Sequence, residues 1–185
     1  MSVCNADSKL VLSYLCGGRD AEWANRFMKD LASRLTTRIQ ITTDGHRAYA
    51  EAVEGAFGAD VDFAQLIKLY GDEAGPGPEH KYSPGVCTGA SKMPIEGEPD
   101  PKYISTSHVE RANLSMRMGM RRFTRLTNAF SKKLENHMHA VSFYFMIYNF
   151  VKIHSSIKTT PAMEAGVTTY LWSMEDIVMM TDTSK

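Results

Sequence analysis

This 185-residue chain has few cysteines and no long hydrophobic run. Its three cysteines, Cys4, Cys16 and Cys87, are widely spaced and odd in number. This excludes a small disulfide framework and favours a reducing, cytoplasmic setting. No apolar run approaches the roughly 18 residues that a membrane span needs, and the segment MSVCNADSKL has neither the basic stretch nor the apolar core of a signal peptide. We therefore expect a soluble, cytoplasmic protein without a membrane partner.

A net charge of zero conceals an uneven distribution of charge along the chain. Residues 1–100 carry ten Lys/Arg and fifteen Asp/Glu, whereas residues 101–185 carry eleven and six. Basic side chains concentrate in one stretch, opposed only by Glu110 and Glu135: Arg111, Arg117, Arg121, Arg122, Arg125, Lys132 and Lys133. Such a segment attracts phosphate groups and favours a nucleic-acid partner. The alternative is a solvated helix face.

The first seventy residues alternate strand-like and helix-like patterns. Strands are predicted at Ser8–Cys16, Arg38–Thr43 and Val61–Leu69. A helix capped by Asp20 follows the first strand, and a second helix runs from His46 to Phe57 and stops at Gly58. This order, with helices after it, favours an α/β fold with helices against a mixed sheet.

The second half of the chain begins with a proline- and glycine-rich segment. Residues 71–101 hold six of the seven prolines, which predicts a long loop insertion without regular elements. Helices are expected from Ser105 to Phe123 and from Lys132 to Val151, and Pro161 is expected to end the helical region. We therefore predict one domain over residues 1–158 and a C-terminal tail over 159–185 with a short helix near Met174.

Asp44 is the first candidate for chemistry. It follows the strand on the face opposite Ile39 and Ile41, at the carboxyl end, where α/β sheets collect ligands and catalytic groups. Gly45 would allow a phosphate or backbone to approach closely. A structural alternative is open, because Asp is also a good helix N-cap and Asp-Gly is a common turn.

Glu110 is the second candidate. On a helix, Glu110, Asn113, Arg117 and Arg121 share one face, beside an apolar stripe formed by Val109, Ala112, Met116, Met120 and Phe123. A carboxylate among amides and guanidiniums is typical of a divalent-ion and phosphate site. The alternative, which spacing alone favours, is a capping box in which Glu110 accepts a hydrogen bond from the Ser107 backbone N–H.

Other metal and nucleophile patterns are weak. His137 and His139 are two residues apart and cannot share a helix face, and His80, Cys87 and His108 lack regular zinc spacing. The chain has no Gly-rich phosphate loop and no Gly-x-Ser-x-Gly motif.

The order of three segments resembles a known family. The runs TTDGHRAYAEAV, STSHVERANLSMRMGMRRFTRLTNAFSKKLENH and YNFVKIHSSIKTTPAMEAG resemble the catalytic half of insertion-sequence transposases, in the insertion-sequence-one-like branch of the DDE transposases. The resemblance covers roughly residues 5–175. It implies a ribonuclease H-like fold, DNA transposition and recombination, and double-stranded DNA as partner at transposon ends and target.

The resemblance also implies a catalytic arrangement. In the family two aspartates and a glutamate hold two Mg²⁺ (or Mn²⁺) ions, which activate water or a DNA 3′-hydroxyl for attack on a phosphodiester. Asp44 matches the second aspartate and Glu110 the glutamate, as catalytic residues and metal ligands. DNA contacts are implied for the flanking positions Arg111, Asn113 and Arg117, and for the rest of the basic segment.

The chain departs from the family at its beginning. The family's first aspartate lies on a strand upstream of the hairpin whose second arm is Ser8–Cys16, so we expect the fold to lack that first strand. Asp7 in the turn Asn5–Ser8 and Asp20 at a helix start are poorly placed as substitutes. Two carboxylates can hold one Mg²⁺ weakly, so weak or absent strand transfer is expected. A sheet without its first strand would also expose unpaired edges, which favours self-association as a homo-oligomer.

Two further interpretations compete with a transposase. One is a non-catalytic nucleic-acid-binding module that uses the basic helix 111–133 alone. The other is a small α/β domain unrelated to DNA, in which the Glu110 face is ordinary surface.

Overall fold

The computed structural model describes residues 1–71, 87–123, 128–129 and 131–182. The elements in chain order are β1 Ser2–Cys4, β2 Val11–Tyr14, α1 Ala21–Ser33, β3 Ile39–Asp44, α2 Ala48–Phe57, β4 Val61–Tyr70, β5 Cys87–Glu96, α3 Ser107–Gly119, α4 Leu134–Met146, α5 Pro161–Glu164 and α6 Met174–Asp182. Two compact units contain them. The sheet unit is Gly17–Thr106, and the hairpin–helix unit is Met1–Cys16 with Ser107–Lys185.

The sheet unit has a three-stranded mixed sheet in the order β3–β4–β5. β3 pairs parallel to β4 from Ile39↔Val61 to Asp44↔Leu66, and β4 pairs antiparallel to β5. Most of the first six residues of β4 are buried, as expected of a central strand covered on both faces. The predicted α/β class is confirmed, and so are the strands expected near Arg38–Thr43 and Val61–Leu69.

The two helices of the sheet unit follow local capping rules. Asp20 accepts a hydrogen bond from the Trp23 backbone N–H and caps α1, as predicted. The α1 residues Ala24, Phe27, Met28 and Leu31 are buried at helical spacing. α2 ends at Gly58, whose φ of 54° is a conformation that glycine adopts without strain.

β5 corrects the prediction that residues 71–101 contain no regular element. Cys87–Glu96 is a ten-residue strand, and Pro94 lies opposite Ala64 on β4. Proline is tolerated because β5 is an edge strand, where a missing N–H leaves no neighbour unpaired. The register also shifts between Phe63 and Ala64, beside this proline. Residues 72–86 of the predicted loop lie outside the described residues.

The hairpin–helix unit opens with an antiparallel hairpin in which Ser2 pairs with Tyr14 and Cys4 with Val11. This is a separate two-stranded sheet. The predicted turn at Asn5–Ser8 is confirmed: the Asn5 Oδ1 atom accepts hydrogen bonds from the backbone N–H groups of Asp7 and Ser8, both at 2.9 Å. An Asn side chain commonly stabilises a turn this way.

A buried amide joins the hairpin to the helices of the same unit. Asn149 Oδ1 accepts a hydrogen bond from the Val11 N–H at 3.0 Å, and Asn149 Nδ2 donates one to the Val11 carbonyl at 3.0 Å. Both residues are buried. The amide therefore satisfies the two backbone groups that a neighbouring strand would otherwise pair.

Two helices of this unit, α3 and α4, pack around one apolar cluster. Its buried residues are Val11, Ala112, Met120, Val141, Phe145 and Tyr148, with Met116 and Phe123 packed against them. Four of the five residues of the apolar stripe predicted beside Glu110 therefore belong to this cluster: Ala112, Met116, Met120 and Phe123. The α-helix itself ends at Gly119, and Arg121–Phe123 forms a 3₁₀ turn.

The long helix predicted to run to Val151 changes its winding near the end. α4 ends at Met146 and continues as a π-helical turn, Ile147–Val151. Pro161 does not end the helical region as expected. It occupies the first turn of α5, where the missing N–H of proline costs nothing, and Thr160 caps that helix. The short helix predicted near Met174 is confirmed as α6.

Within the part of the chain that the structure describes, no helix combines the length and the apolar character needed to cross a bilayer.

Candidate functional site

Asp44 is the last residue of β3, and its side chain is exposed. Thr43, on the Ile41 face, is buried, so the alternation of the strand directs Asp44 to the other face. The Asp44 Oδ1 atom accepts a hydrogen bond from the His46 backbone N–H at 3.3 Å. The predicted turn is thus present. The N-cap alternative is wrong, because α2 begins at Ala48 after Arg47.

A two-stranded arm extends beyond Asp44. β3 ends at the pair Asp44↔Leu66, but β4 continues to Tyr70, still paired with β5. The added strand length lies past the carboxyl end of β3, because β3 and β4 are parallel. Leu69 and Tyr70 on this arm are exposed. A Cβ atom on Gly45 would lie 3.1 Å from the Ile67 side chain, so the absence of a side chain there lets the turn sit against the arm.

An aromatic pair lies directly after Asp44. The rings of His46 and Tyr49 contact edge to face with centroids 5.7 Å apart. Burial is the main cause that raises the pKa of Tyr49, the Asp44 carboxylate raises it further, and the Arg19 guanidinium lowers it.

Glu110 lies in the first turn of α3, in the hairpin–helix unit, and is exposed. α3 begins at Ser107, so the expectation of a helix at this point is confirmed. The acidic group stands at the helix end where the macrodipole favours negative charge.

The basic side chains next to Glu110 are exposed. Arg111 and Arg117 lie on α3, whereas Arg121 and Arg122 lie in the 3₁₀ turn after it. The helix face predicted for Glu110 therefore extends only to Arg117 within α3. Asn113 on that face is half-buried, and its Oδ1 atom accepts a hydrogen bond from the Ser2 hydroxyl at 3.2 Å.

The rest of the predicted basic segment is partly structural. Arg122 donates to the Ser131 hydroxyl, and its guanidinium lies 3.5 Å from the Asn136 carbonyl. Lys132 and Lys133 are exposed before α4. Arg125 lies outside the described residues.

The hairpin turn lies beside the first turn of α3, which the sequence did not predict. Lys9 Nζ is 3.2 Å from His108 Nδ1, while Ser2 contacts Asn113 further along the helix. Ser2 therefore lies near the middle of α3, and Lys9 lies near its first turn. Burial, then the nearby Lys9 ammonium, lowers the pKa of His108. Only a contact between residues 99 positions apart reveals this arrangement.

The described residues contain no group of three His, Cys, Asp or Glu side chains able to hold a metal ion. Two catalytic ions about 3.5–4 Å apart need several shared carboxylate ligands, so these residues do not by themselves fit a two-metal centre. His137 instead packs edge to face on Phe123, with ring centroids 5.4 Å apart. His80 of the weak zinc pattern lies outside the described residues.

In comparisons with known proteins, no family model, no curated protein and no solved structure matches the chain.

Proposed function

We propose that the chain is a DDE-type transposase domain of the insertion-sequence-one-like branch that binds DNA ends and has weak phosphodiester cleavage and strand-transfer activity. The order of the three sequence segments supports this proposal. The mixed α/β sheet, with β3 parallel to β4 and β5 antiparallel to it, is compatible with the ribonuclease H-like architecture that the resemblance implies.

The position of Asp44 carries most of the proposal. An exposed carboxylate at the carboxyl end of a parallel strand is where α/β folds place ligand-binding groups. Within the described residues Asp44 forms no ion pair with Lys or Arg, so its charge is available to a cation. By the resemblance that cation is Mg²⁺ or Mn²⁺.

Glu110 and the arginines of α3 supply the second part. Glu110 is exposed in the first turn, and the guanidiniums of Arg111 and Arg117 are exposed on the same helix. Guanidinium groups bind phosphate oxygens through paired hydrogen bonds. These side chains would hold the DNA backbone while Asp44 and Glu110 hold the ion, whose chemistry is to polarise the phosphodiester and activate the attacking oxygen.

The small number of carboxylates accounts for the expected weakness of the reaction. Two carboxylates bind Mg²⁺ less tightly than three, because they supply less negative charge. By the resemblance, the missing ligand is an aspartate on a strand upstream of the hairpin.

The proposal is tested by cleavage of end-labelled duplex DNA in Mg²⁺ or Mn²⁺. Asp44→Asn and Glu110→Gln should each abolish metal-dependent cleavage, because each removes one of two anionic ligands while keeping the side-chain shape.

Matched controls separate a site effect from lost charge. Glu135→Gln removes an exposed carboxylate from the first turn of α4, and Asp60→Asn removes one next to β4. Both should keep the wild-type rate. Cleavage that survives Asp44→Asn and Glu110→Gln, or falls equally in the controls, contradicts the catalytic assignment.

A non-catalytic nucleic-acid-binding module is the second candidate. The exposure of Arg111, Arg117 and Arg121 favours it, because a row of exposed guanidiniums binds phosphates without a metal. Salt-sensitive DNA binding without turnover, unchanged by Asp44→Asn and Glu110→Gln, would identify the module rather than the enzyme.

A further inference from the structure

Two apolar side chains lie exposed among the charged groups of α3. Leu114 is 44% exposed and Met118 is 80% exposed. Side chains three and four residues apart are neighbours on a helix, so Glu110 and Arg111 lie beside Leu114 on its N-terminal side. Arg117 and Met118 lie beside it on the C-terminal side. All of these side chains are exposed, and the proposed function so far gives a role only to the charged ones.

The opposite side of α3 is held by the rest of its unit. Ala112 is buried in the apolar cluster, and Asn113 accepts a hydrogen bond from the Ser2 hydroxyl at 3.2 Å. At the end of the helix, a Cβ atom on Gly119 would lie 3.0 Å from the Tyr144 ring, so α3 and α4 are in close contact there. A helix fixed on one side presents its other side to a ligand with little loss of conformational entropy.

The composition of the exposed face indicates the chemistry of its partner. Two guanidiniums oppose one carboxylate, so the partner is anionic, and guanidiniums bind phosphates in pairs of hydrogen bonds. The two apolar side chains between them need an apolar group to contact in the same partner. The major groove of DNA offers both, because phosphates line its edges and thymine C5-methyl groups lie on its floor. It is also wide enough, at about 12 Å, to admit an α-helix.

We propose that α3 lies in the major groove of a DNA end and that Leu114 and Met118 contact thymine methyl groups there. Arg111 and Arg117 then bind phosphates at the edges of the groove. The inference rests on the proposed function and adds a base preference to it. At about 1.5 Å per residue, the two apolar residues lie about 6 and 12 Å along the helix from Glu110. Because base pairs are about 3.4 Å apart, the contacted thymines lie within about four base pairs of the bond held at Glu110.

The test replaces thymine by uracil, which removes only the C5-methyl group. The probe is a labelled DNA hairpin of A·T pairs, which has one open end, and its binding is measured by fluorescence anisotropy. Uracil in the four pairs nearest the open end should weaken binding of the wild-type chain about fourfold for each methyl group contacted. Uracil in the four pairs next to the DNA loop should leave the affinity unchanged.

Variants of α3 separate the apolar contacts from the ionic ones. Leu114→Ala/Met118→Ala should bind the thymine and uracil probes equally. It should keep the wild-type dependence of affinity on salt, because apolar contacts release no counterions. Arg111→Gln/Arg117→Gln should instead keep the preference for thymine and flatten the slope of log affinity against log salt by about 1.8.

A matched control removes the same residue types outside α3. Leu171 is 47% exposed and Met179 is 64% exposed, and Leu171→Ala/Met179→Ala should behave as the wild type with every probe. The far-UV circular dichroism of all variants should be unchanged, because each replaced side chain is exposed.

Three results would contradict the inference. One is equal binding of the thymine and uracil probes by the wild-type chain, and another is a thymine preference that survives Leu114→Ala/Met118→Ala. The third is a wild-type dimer that this variant converts to a monomer without any change in DNA binding, which would assign the face to a contact between two copies of the chain. A wild-type chain that binds none of the probes overturns the proposed function itself.

Discussion

The Asn149 side chain makes the two backbone hydrogen bonds that a neighbouring strand would otherwise make with Val11. Its amide meets both backbone groups of Val11, 138 positions earlier in the chain. The π-helical turn Ile147–Val151, closed by the hydrogen bond from the Lys152 N–H to the Ile147 carbonyl at 2.9 Å, contains this residue. Inserted π turns shift side-chain directions relative to a regular α-helix, and here the amide is presented to β2.

Replacing Asn149 should therefore destabilise the hairpin–helix unit. Asn149→Ala leaves a buried N–H and a buried carbonyl of Val11 without partners, which should cost about 2–4 kcal/mol of unfolding free energy. Urea denaturation followed by tyrosine and tryptophan fluorescence measures this.

An exposed asparagine on the same long helix gives the matched control. Asn136→Ala should change the free energy of unfolding by less than about 0.5 kcal/mol. Equal midpoints for the two variants would mean that the Val11 groups find other partners, and that the amide contact is unimportant for stability.

At the scale of elements, polar contacts among Arg38, Asp62 and Glu98 connect the starts of β3 and β4 with the chain after β5. Arg38 donates to both Asp62 carboxylate oxygens, at 3.1 and 2.7 Å, and the Glu98 N–H donates to Asp62 Oδ1 at 2.9 Å. The hydrogen bonds from Arg38 are the largest cause that lowers the pKa of Asp62, followed by the hydrogen bond from the Glu98 N–H. Gly97, with φ of 66°, turns the chain directly over these groups.

The turn at Gly97 should tolerate no side chain. A Cβ atom there would lie 2.7 Å from Arg38 Nη2 and 2.8 Å from the Val61 carbonyl, and the positive φ adds backbone strain. Gly97→Ala should therefore lower the free energy of unfolding by at least about 2 kcal/mol.

Gly58→Ala separates the two contributions. Gly58 also has a positive φ, of 54°, but a Cβ atom there would meet nothing within 4 Å, so only the backbone cost of about 1 kcal/mol applies. Urea midpoints of the two variants test the difference. Equal losses would show that the contacts among Arg38, Asp62 and Glu98 shift to accommodate the added methyl group at Gly97.

Elements with a strong local pattern were predictable from the sequence. The Asp20 cap, the buried face of α1 and the alternation of β3 depend on neighbouring residues, so spacing was enough. β5 was missed because Pro94 argued against a strand, and only its place at a sheet edge removes that objection. The predicted role of Pro161 was wrong, because proline, which lacks an N–H, can end one helix or begin another. Here it begins α5, with Thr160 as the N-cap.

The candidate site was predictable only in part. Asp44 stands at a strand end and Glu110 in a helix turn, as the sequence indicated. The hairpin turn beside α3 and the arm beyond Asp44 depend on contacts between residues that are distant in the chain. Spacing along the chain carries no record of such pairings.

At the scale of the whole molecule, the central claim is the proposed metal-dependent chemistry. Asp44 belongs to the sheet unit and Glu110 to the hairpin–helix unit, and the proposed chemistry needs both carboxylates on one divalent ion. The hairpin–helix unit in addition exposes Arg111 and Arg117 on α3.

Paramagnetic Mn²⁺ titration, read by backbone amide NMR, tests this claim most directly. We predict that the amides of Gly45 and Arg111 broaden together with one titration midpoint, because one ion lies near both carboxylates. Asp44→Asn should abolish the broadening at Arg111, and Glu110→Gln should abolish it at Gly45. Broadening at one position that persists when the other carboxylate is removed would contradict the account, because the two side chains would then bind separate ions.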